Sequence, residues 1–303
     1  MVRVGVIGVG NMGSHHARIL SSLPGAELAG VCDADRTRAE AVALRNDTRA
    51  FTTPADLLAS VEAVVVAVPT EQHAEVGSQA LAAGCHVLME KPLAHDLPAA
   101  RALCEQAGRA GRLIMTGYVE RFNPAVARLK ELLPGEELLY LSFTRVGPEP
   151  PRSGSTGVIL DLAIHDLDLL THLSGQAVVR TVALAAGNGR QDTASLSFLL
   201  SGGGLAHVTA NWLTPYKVRE VQAATPSHLY RCDLIRQQLT AYSRLPEGSY
   251  AVHEIPIQAR EPLRAELTAF VDAVAAGAAE APVPCTAGLA SLALVAECIA
   301  AAG

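Results

Sequence analysis

The tightest constraint on the fold of this chain lies in its first twenty residues. Val2-Arg3-Val4-Gly5-Val6-Ile7 is a short β-branched run of the kind buried on both faces of a parallel sheet. Gly8-Val9-Gly10-Asn11-Met12-Gly13 follows with no spacer, and Ser14 to Leu20 then reads as a helix. Strand, G-x-G-x-x-G and helix in that order are the context in which this glycine spacing binds a dinucleotide. Gly8 permits the tight turn, Gly10 lets a pyrophosphate approach the backbone, and Gly13 lets helix and strand pack closely. Asn11 and Met12 complete the loop, where the free N–H groups of the helix N-terminus favour an anion. A second strand over 26–32 ends at Asp33, twenty residues after Gly13. A carboxylate there accepts hydrogen bonds from an adenosine ribose and repels a 2′-phosphate, which favours NAD. Arg36 and Arg38 stand close enough to hold that phosphate, so NADP stays open. The competing reading is a plain βαβ turn with a solvated aspartate.

At 303 residues the chain has room for two domains of about 150 residues each. Half of the residues are hydrophobic and 18% are charged, which assures a large core and excludes a disordered chain. A net charge of −6 with no basic tract argues against a nucleic-acid or anionic-membrane partner. Cys32, Cys85, Cys104, Cys232, Cys285 and Cys298 are scattered without C-x-x-C pairs. That pattern suits reduced thiols in a cytoplasmic protein better than a disulfide framework or a zinc site. No secretory signal is visible, and the apolar stretch at 283–296 is too short to span a bilayer and reads as a buried helix.

A strand over 61–68 ends at Pro69-Thr70-Glu71-Gln72-His73. In a doubly wound sheet ligands sit beyond the carboxyl ends of the strands, so Pro69, Thr70 and His73 are expected on the nicotinamide side. A helix-face histidine with a local partner is the other reading of His73. The strand at 86–89 ends in Glu90-Lys91-Pro92, which puts a lysine on the same rim, before a proline able to adopt the cis form. A helix over 97–110 and a strand over 113–116 complete a six-strand α/β Rossmann domain, bounded at 1–120. Across 121–303 the runs 178–186, 193–200, 205–212, 220–224, 239–243 and 250–255 follow one another without intervening helices. They predict an α+β domain built on a large, mostly antiparallel sheet.

Within a predicted helix over 158–173, Asp161, His165, Asp168 and His172 fall on one stripe while most other positions are aliphatic. A buried carboxylate or imidazole is costly unless it is paired or faces a cavity. Three readings stand: a structural Asp–His pair, a metal site of Asp161, His165 and Asp168, or an acid–base group facing the nicotinamide. A histidine with a pKa near 6.5 takes a proton from a hydroxyl at neutral pH.

The Gly8–Gly13 loop, Glu90-Lys91-Pro92, Gly117-Tyr118-Val119-Glu120-Arg121-Phe122-Asn123-Pro124 and Asp161-x-x-x-His165-x-x-Asp168 together resemble the glucose–fructose oxidoreductase/inositol dehydrogenase/rhizopine catabolism (Gfo/Idh/MocA) family, over essentially the whole chain. The resemblance implies a Rossmann domain followed by a sheet domain whose open face builds homodimers or homotetramers. It implies NAD(P)-dependent oxidation or reduction at a sugar or cyclitol carbon, with no metal. By matching position Lys91 is the active-site lysine, Asp161 and His165 are its partners, and Arg121 and Asn123 belong to the substrate site.

A narrower resemblance, to the UDP-N-acetylglucosamine 3-dehydrogenase branch, rests on Arg145-x-Gly147-Pro148-x-Pro150-x-Arg152, Asp161-Leu162-Ala163-x-His165-Asp166 and the stretch from Asn211 to Arg219. Arg145, Arg152, Lys217 and Arg219 are candidates to hold a diphosphate, with charges on an exposed sheet face the competing reading of Lys217 and Arg219. Ala163 stands where many relatives have glycine, and Ala223 to His228 replaces a threonine–glycine turn, which bears on the sugar. A non-catalytic NAD sensor and a methyltransferase on the same loop are the readings from other classes. The intact Lys91, Asp161 and His165 oppose the first, and Glu90-Lys91-Pro92 opposes the second.

Overall fold

Alternation of buried strands with helices carries the first part of the chain into a doubly wound sheet. The computed structural model describes residues 1–149, 156–188 and 190–303, so Arg152 lies outside the described residues. In chain order come β1 (Val2–Ile7), α1 (Asn11–Leu20), β2 (Ala26–Cys32), α2 (Arg36–Arg45), β3 (Ala50–Phe51), α3 (Pro54–Leu58) and β4 (Ala63–Val66). They are followed by α4 (His73–Ala82), β5 (His86–Glu90), α5 (Leu97–Ala110), β6 (Ile114–Gly117) and α6 (Pro124–Leu132). Next are β7 (Tyr140–Pro148), a π turn (Ile159–Ala163) and α7 (Ile164–Ser174). The remaining strands are β8 (Val178–Ala186), β9 (Thr193–Leu200), β10 (Leu205–Asn211), β11 (Leu213–Ala224), β12 (His228–Asp233), β13 (Gln238–Arg244) and β14 (Tyr250–Ile255), before α8 (Pro262–Ala275) and α9 (Cys285–Ala301).

The six N-terminal strands are parallel, in the order β3-β2-β1-β4-β5-β6. All four residues of β4 are buried, as expected where helices cover both faces of a parallel sheet. The chain divides into two compact units: Met1–Val119 with Glu261–Leu292, and Glu120–Arg260 with Ala293–Gly303. The sequence assigns everything after residue 120 to the second domain, but α8 joins the first unit. Its Leu263, Leu267, Phe270 and Val271 are buried, it packs on α1 and β1, and Arg264 donates to Ser22 at 2.9 Å. Periodicity marks α8 as having an apolar face and leaves open which partner covers it.

The second unit is built on an eight-stranded sheet in the order β14-β13-β12-β11-β7-β10-β9-β8, antiparallel except for β7 with β10. Strict alternation buries Ala194, Leu196, Phe198 and Leu200 of β9, and Ala206, Val208 and Ala210 of β10. Helix α7 packs on β7 and β10, and α6 on β12 and β13. Among the described residues no helix is long and apolar enough to cross a membrane.

Arg145 follows the same alternation on β7. It shares the buried face of Leu141 and Phe143 and is 2% exposed. Its Nε and Nη2 donate to Asp166 of α7 at 2.9–3.0 Å, and its Nη1 donates to Glu120 at 3.1 Å. Arg219 of β11 reaches the same Glu120 oxygen at 3.4 Å. Burial alone would lower the Arg145 pKa, but Asp166 and Glu120 outweigh it and hold the guanidinium charged. This guanidinium locks α7 onto the sheet, and its diphosphate contact stands as an expectation. Asn123, expected at the substrate, is also held inside the fold. It is buried at the N-cap of α6, where its Oδ1 accepts from Ala125 N–H at 3.1 Å and its Nδ2 donates to the Leu234 carbonyl at 2.9 Å.

Removing one member of a buried ion cluster strands the others, at a cost of about 3–5 kcal/mol. Arg145→Ala is therefore expected to lower unfolding free energy by that amount in urea titrations. Unchanged stability with a raised KM would mark Arg145 as a substrate ligand instead.

Candidate active site

In the first unit the glycine loop is set by sterics. Gly8 has φ +84°, and a Cβ there would lie 2.7 Å from the Ala67 carbonyl and from Val68 N. A Cβ on Gly13 would lie 1.8 Å from the Gly8 carbonyl oxygen. Around Gly10 nothing lies within 4 Å of the Cβ position, so the loop is open on that side. Gly10 is the N-cap of α1 and no side chain caps the first turn, so its N–H groups face the open space; Asn11 and Met12 are exposed there. These features fit the pyrophosphate of a dinucleotide.

Asp33 closes the loop from β2. Its Oδ2 accepts from Val9 N–H at 2.9 Å and its Oδ1 from Asp35 N–H at 2.9 Å. A carboxylate has about four acceptor positions, which leaves capacity for a ribose hydroxyl. Arg38 reaches Asp33 at 3.4 Å and Asp35 at 3.2 Å, while the well-exposed Arg36 pairs with Glu40 at 2.7 Å.

The carboxyl ends of β4 and β5 form the rim. Pro69 is exposed and Thr70 half-buried. His73 is 1% exposed; its Nδ1 lies 2.7 Å from the Pro92 carbonyl and its Nε2 3.0 Å from that of Val68. Burial holds its pKa below the ordinary value, and the two carbonyls pull the other way. With both ring nitrogens against carbonyls, His73 has the local partners of its second reading and braces the turn after Lys91. The Lys91–Pro92 peptide is cis, and Lys91 is half-buried.

Around Glu90, itself expected among the cofactor-binding residues, stand two residues that sequence reading passed over, His16 and Glu266. Glu90 Oε1 meets Nε2 of the fully buried His16 on α1 at 2.7 Å, and Glu90 Oε2 accepts from Lys91 N–H at 3.3 Å. Burial pushes the Glu90 pKa up, but His16 and Lys91 prevail and leave it below the ordinary range. Glu266 of α8 is completely buried, and among the described residues neither of its oxygens has a hydrogen-bond partner. Burial, reinforced by the charge of Glu90, raises its pKa well above the usual range. The signal for this cluster was a lone acid inside the apolar face of α8.

In the second unit the predicted stripe splits. The helix opens with the π turn, and Asp161 and His165 are half-buried on its accessible side. Asp168 is 1% exposed and accepts both Nε and Nη2 of Arg121, at 2.8 and 2.7 Å. This pair withdraws Asp168 from a metal-binding role and ties Arg121, expected at the substrate, to α7. Burial, with Arg121 and Lys130 adding to it, lowers the His172 pKa to about 4. No group of three or more metal-ligating side chains forms among the described residues.

The profile of the oxidoreductase family with an NAD-binding Rossmann fold matches residues 2–118, and that of the GFO/IDH/MocA C-terminal domain matches residues 141–225. The chain belongs to the GFO/IDH/MocA oxidoreductase family. Among relatives, UDP-N-acetylglucosamine 3-dehydrogenase of Acidithiobacillus ferrooxidans is 34% identical over 91% of this chain and 89% of its own. A solved structure of that enzyme superposes with TM-score 0.93, at 31% identity, covering 99% of this chain and 97% of the other. The scyllo-inositol 2-dehydrogenase (NAD(+)) of Bacillus subtilis is 27% identical over 91% of this chain and 87% of its own. As a member of this family the chain is a nicotinamide-dependent oxidoreductase.

For this family member, two glycine variants separate binding from folding. Gly10→Val has room in the protein alone, so it should abolish cofactor binding in calorimetric titration and leave unfolding unchanged. Gly13→Ala drives a methyl into the Gly8 carbonyl, and overpacking of this kind costs about 1–3 kcal/mol or more. Its stability should fall measurably in urea.

Glu266 gives a pH signature. A raised folded pKa means that its contribution is complete below the unfolded value of about 4.3 and is lost as pH rises through the folded value. Glu266→Gln cannot ionise and lacks that loss. Its Tm should therefore gain on the wild type as pH rises; a difference independent of pH would show an ordinary carboxyl.

Proposed function

We propose that this oxidoreductase uses NAD to oxidise a secondary hydroxyl of a sugar, specifically the 3-hydroxyl of a UDP-N-acetylhexosamine. The observation that carries the reading is the nearly whole-length likeness to a UDP-N-acetylglucosamine 3-dehydrogenase, with Lys91, Asp161 and His165 all intact and half-accessible. The preference for NAD rests on Asp33 at the end of β2, with Arg36 and Arg38 engaged by Glu40 and by Asp33 and Asp35.

Residues of the loop from Gly8 to Gly13 hold the pyrophosphate, and Asp33 holds the adenosine ribose. When bound, the nicotinamide supplies the acceptor for the hydride that leaves the carbinol carbon. His165 takes the proton of the hydroxyl on that carbon. Lys91 donates a hydrogen bond to the same oxygen and stabilises the negative charge that develops on it. Asp161, four residues before His165 on the same side of the helix, orients the imidazole and balances its positive charge. His172, with its pKa near 4, stays neutral and takes no part in the proton transfer.

One structural observation favours a second reading, a free sugar or cyclitol as substrate. Arg145 is buried in the ion cluster, which leaves the exposed Lys217 and half-buried Arg219 as the described cations for a diphosphate. We also propose a homodimer or homotetramer, supported by Tyr140, Val182 and Leu205, exposed together on the eight-stranded sheet, and a cytoplasmic location, supported by six cysteines without C-x-x-C pairs.

Reduced-nicotinamide absorbance with a panel of UDP-N-acetylhexosamines, inositols and free aldoses tests the reading. Turnover confined to inositols selects the cyclitol reading, and binding of NAD without turnover on any of them selects a sensor. With the true substrate, Lys91→Ala and His165→Ala should each lose roughly 10²–10⁴ in rate and keep NAD affinity within a few-fold. The double variant should lose far less than the product of the two, because both act on one proton transfer. Near-normal turnover in either single variant would remove that residue from the mechanism.

A further inference from the structure

The residues before and after Lys91 are each held by a buried histidine. On one side, Glu90 Oε1 meets Nε2 of His16 at 2.7 Å, and Glu90 Oε2 accepts from Lys91 N–H at 3.3 Å. On the other, the Pro92 carbonyl lies 2.7 Å from Nδ1 of His73, whose Nε2 lies 3.0 Å from the Val68 carbonyl. His16 belongs to α1, and His73 opens α4. In the strand order β3-β2-β1-β4-β5-β6 the crossover from β1 to β2 and that from β4 to β5 run in opposite directions. Right-handed crossovers therefore put α1 and α4 on opposite faces of the sheet. Lys91 stands between two anchors, one from each face.

Neither imidazole can touch a substrate, since His16 is completely buried and His73 is 1% exposed. Packing does not account for a histidine at position 16. Its Nδ1 is buried with no hydrogen-bond partner among the described residues, and an unmade hydrogen bond in the interior weakens a fold. An aliphatic side chain of similar volume would carry no such loss. What the histidine supplies is a donor aimed at Glu90: a carboxylate only accepts, so Nε2 of His16 donates. His73 in turn ties the exit of β4, through Val68, to the exit of β5, through Pro92.

We propose that His16 and His73 are positioning residues for the oxidation, fixing the backbone on both sides of Lys91 so that its side chain reaches the reacting oxygen at one place. The inference rests on the assignment of Lys91 to that oxygen made above. A donor that stabilises charge only as the charge develops depends on its exact placement, and a displacement of about 1 Å can cost roughly 10²-fold in rate. The loop from Gly8 to Gly13 and Asp33 hold their shape through contacts of their own, so NAD affinity should depend little on either histidine.

The chain has three lysines, and Lys130 and Lys217 lie in the second unit. Protein carrying nitrogen-15 lysine therefore gives three lysine amide signals, and the one lost in Lys91→Ala belongs to Lys91. His16→Leu should shift or broaden that signal alone, and His16→Gln, whose amide nitrogen can stand near the place of the imidazole Nε2, should restore it. UDP-N-acetylglucosamine, scyllo-inositol and glucose serve as the substrates tried. On the one turned over, His16→Leu should lower kcat about 10–100-fold with KM and NAD affinity within a few-fold, and His16→Gln should regain most of the loss. In a Lys91→Ala background the same change should cost less than about 3-fold, because a residue that acts through Lys91 has nothing left to position. His73→Phe should follow His16→Leu in each measurement, and decides if His16→Leu does not fold. Equal losses in the two backgrounds, or a Lys91 signal that neither change moves, would overturn the proposal and leave the assignment of Lys91 in place. Near-normal turnover of Lys91→Ala, or no turnover on any of the three substrates, overturns that assignment and the proposal with it.

Discussion

A methyl group on Gly13 would sit 1.8 Å from the carbonyl oxygen of Gly8, and the close approach this glycine allows fixes where α1 begins and how it lies on β1. The same helix carries His16, fully buried one turn further on, which holds Glu90 at the end of β5. Glu90 in turn takes the backbone N–H of Lys91. A displacement of α1 would thus be felt at the loop proposed for the cofactor and at the lysine proposed for the substrate oxygen. The loop itself is held by backbone geometry and by Asp33, with open space where Gly10 faces outward. Such a loop meets its ligand already shaped, so little ordering remains to oppose binding.

The second unit holds its helix by charge. Apolar packing fixes the depth at which α7 lies on the sheet, but a smooth aliphatic surface permits sliding and rotation. Arg145 with Asp166 and Arg121 with Asp168 pin the helix at neighbouring positions from different elements. Each carboxylate meets a planar guanidinium through paired donors, a geometry that specifies orientation as well as attraction. The buried charges weigh against stability when counted alone, and what they supply is a defined rotation of α7 about its axis. That rotation leaves Asp161 and His165 on the accessible side.

The parallel sheet was legible because strands covered on both faces read as uninterrupted apolar runs, and because the glycine spacing answers to steric limits. The rim followed from topology, since β4 and β5 had to end on the same side. Arg145 was assigned to a diphosphate by resemblance, although its period with Leu141 and Phe143 already placed it inward. What covers that face, Asp166 and Glu120, depends on tertiary packing that no local pattern records. The brace at His73 was not legible for a related reason: its partners are backbone carbonyls, which every residue has. The stripe on the helix at 158–173 was sound in register, but Arg121 arrives from a distant segment and splits it into a paired part and an accessible part. Glu266 and α8 show the limit in its plainest form, since an amphipathic pattern states that a face is covered and says nothing of the neighbour.

The π turn at Ile159–Ala163 carries a consequence for chain length. A π turn holds one residue more than an α-helical turn, and one residue amounts to about 100° of rotation. Deleting a single position there would let the helix close into regular α form without shortening its packed part. The residues after the deletion, anchored by Asp166 and Asp168, would keep their places. Asp161, upstream, would swing around the axis by roughly a quarter turn. Homologues that lack that residue would then carry the aspartate three positions before the histidine instead of four, and would present a different side chain beside it.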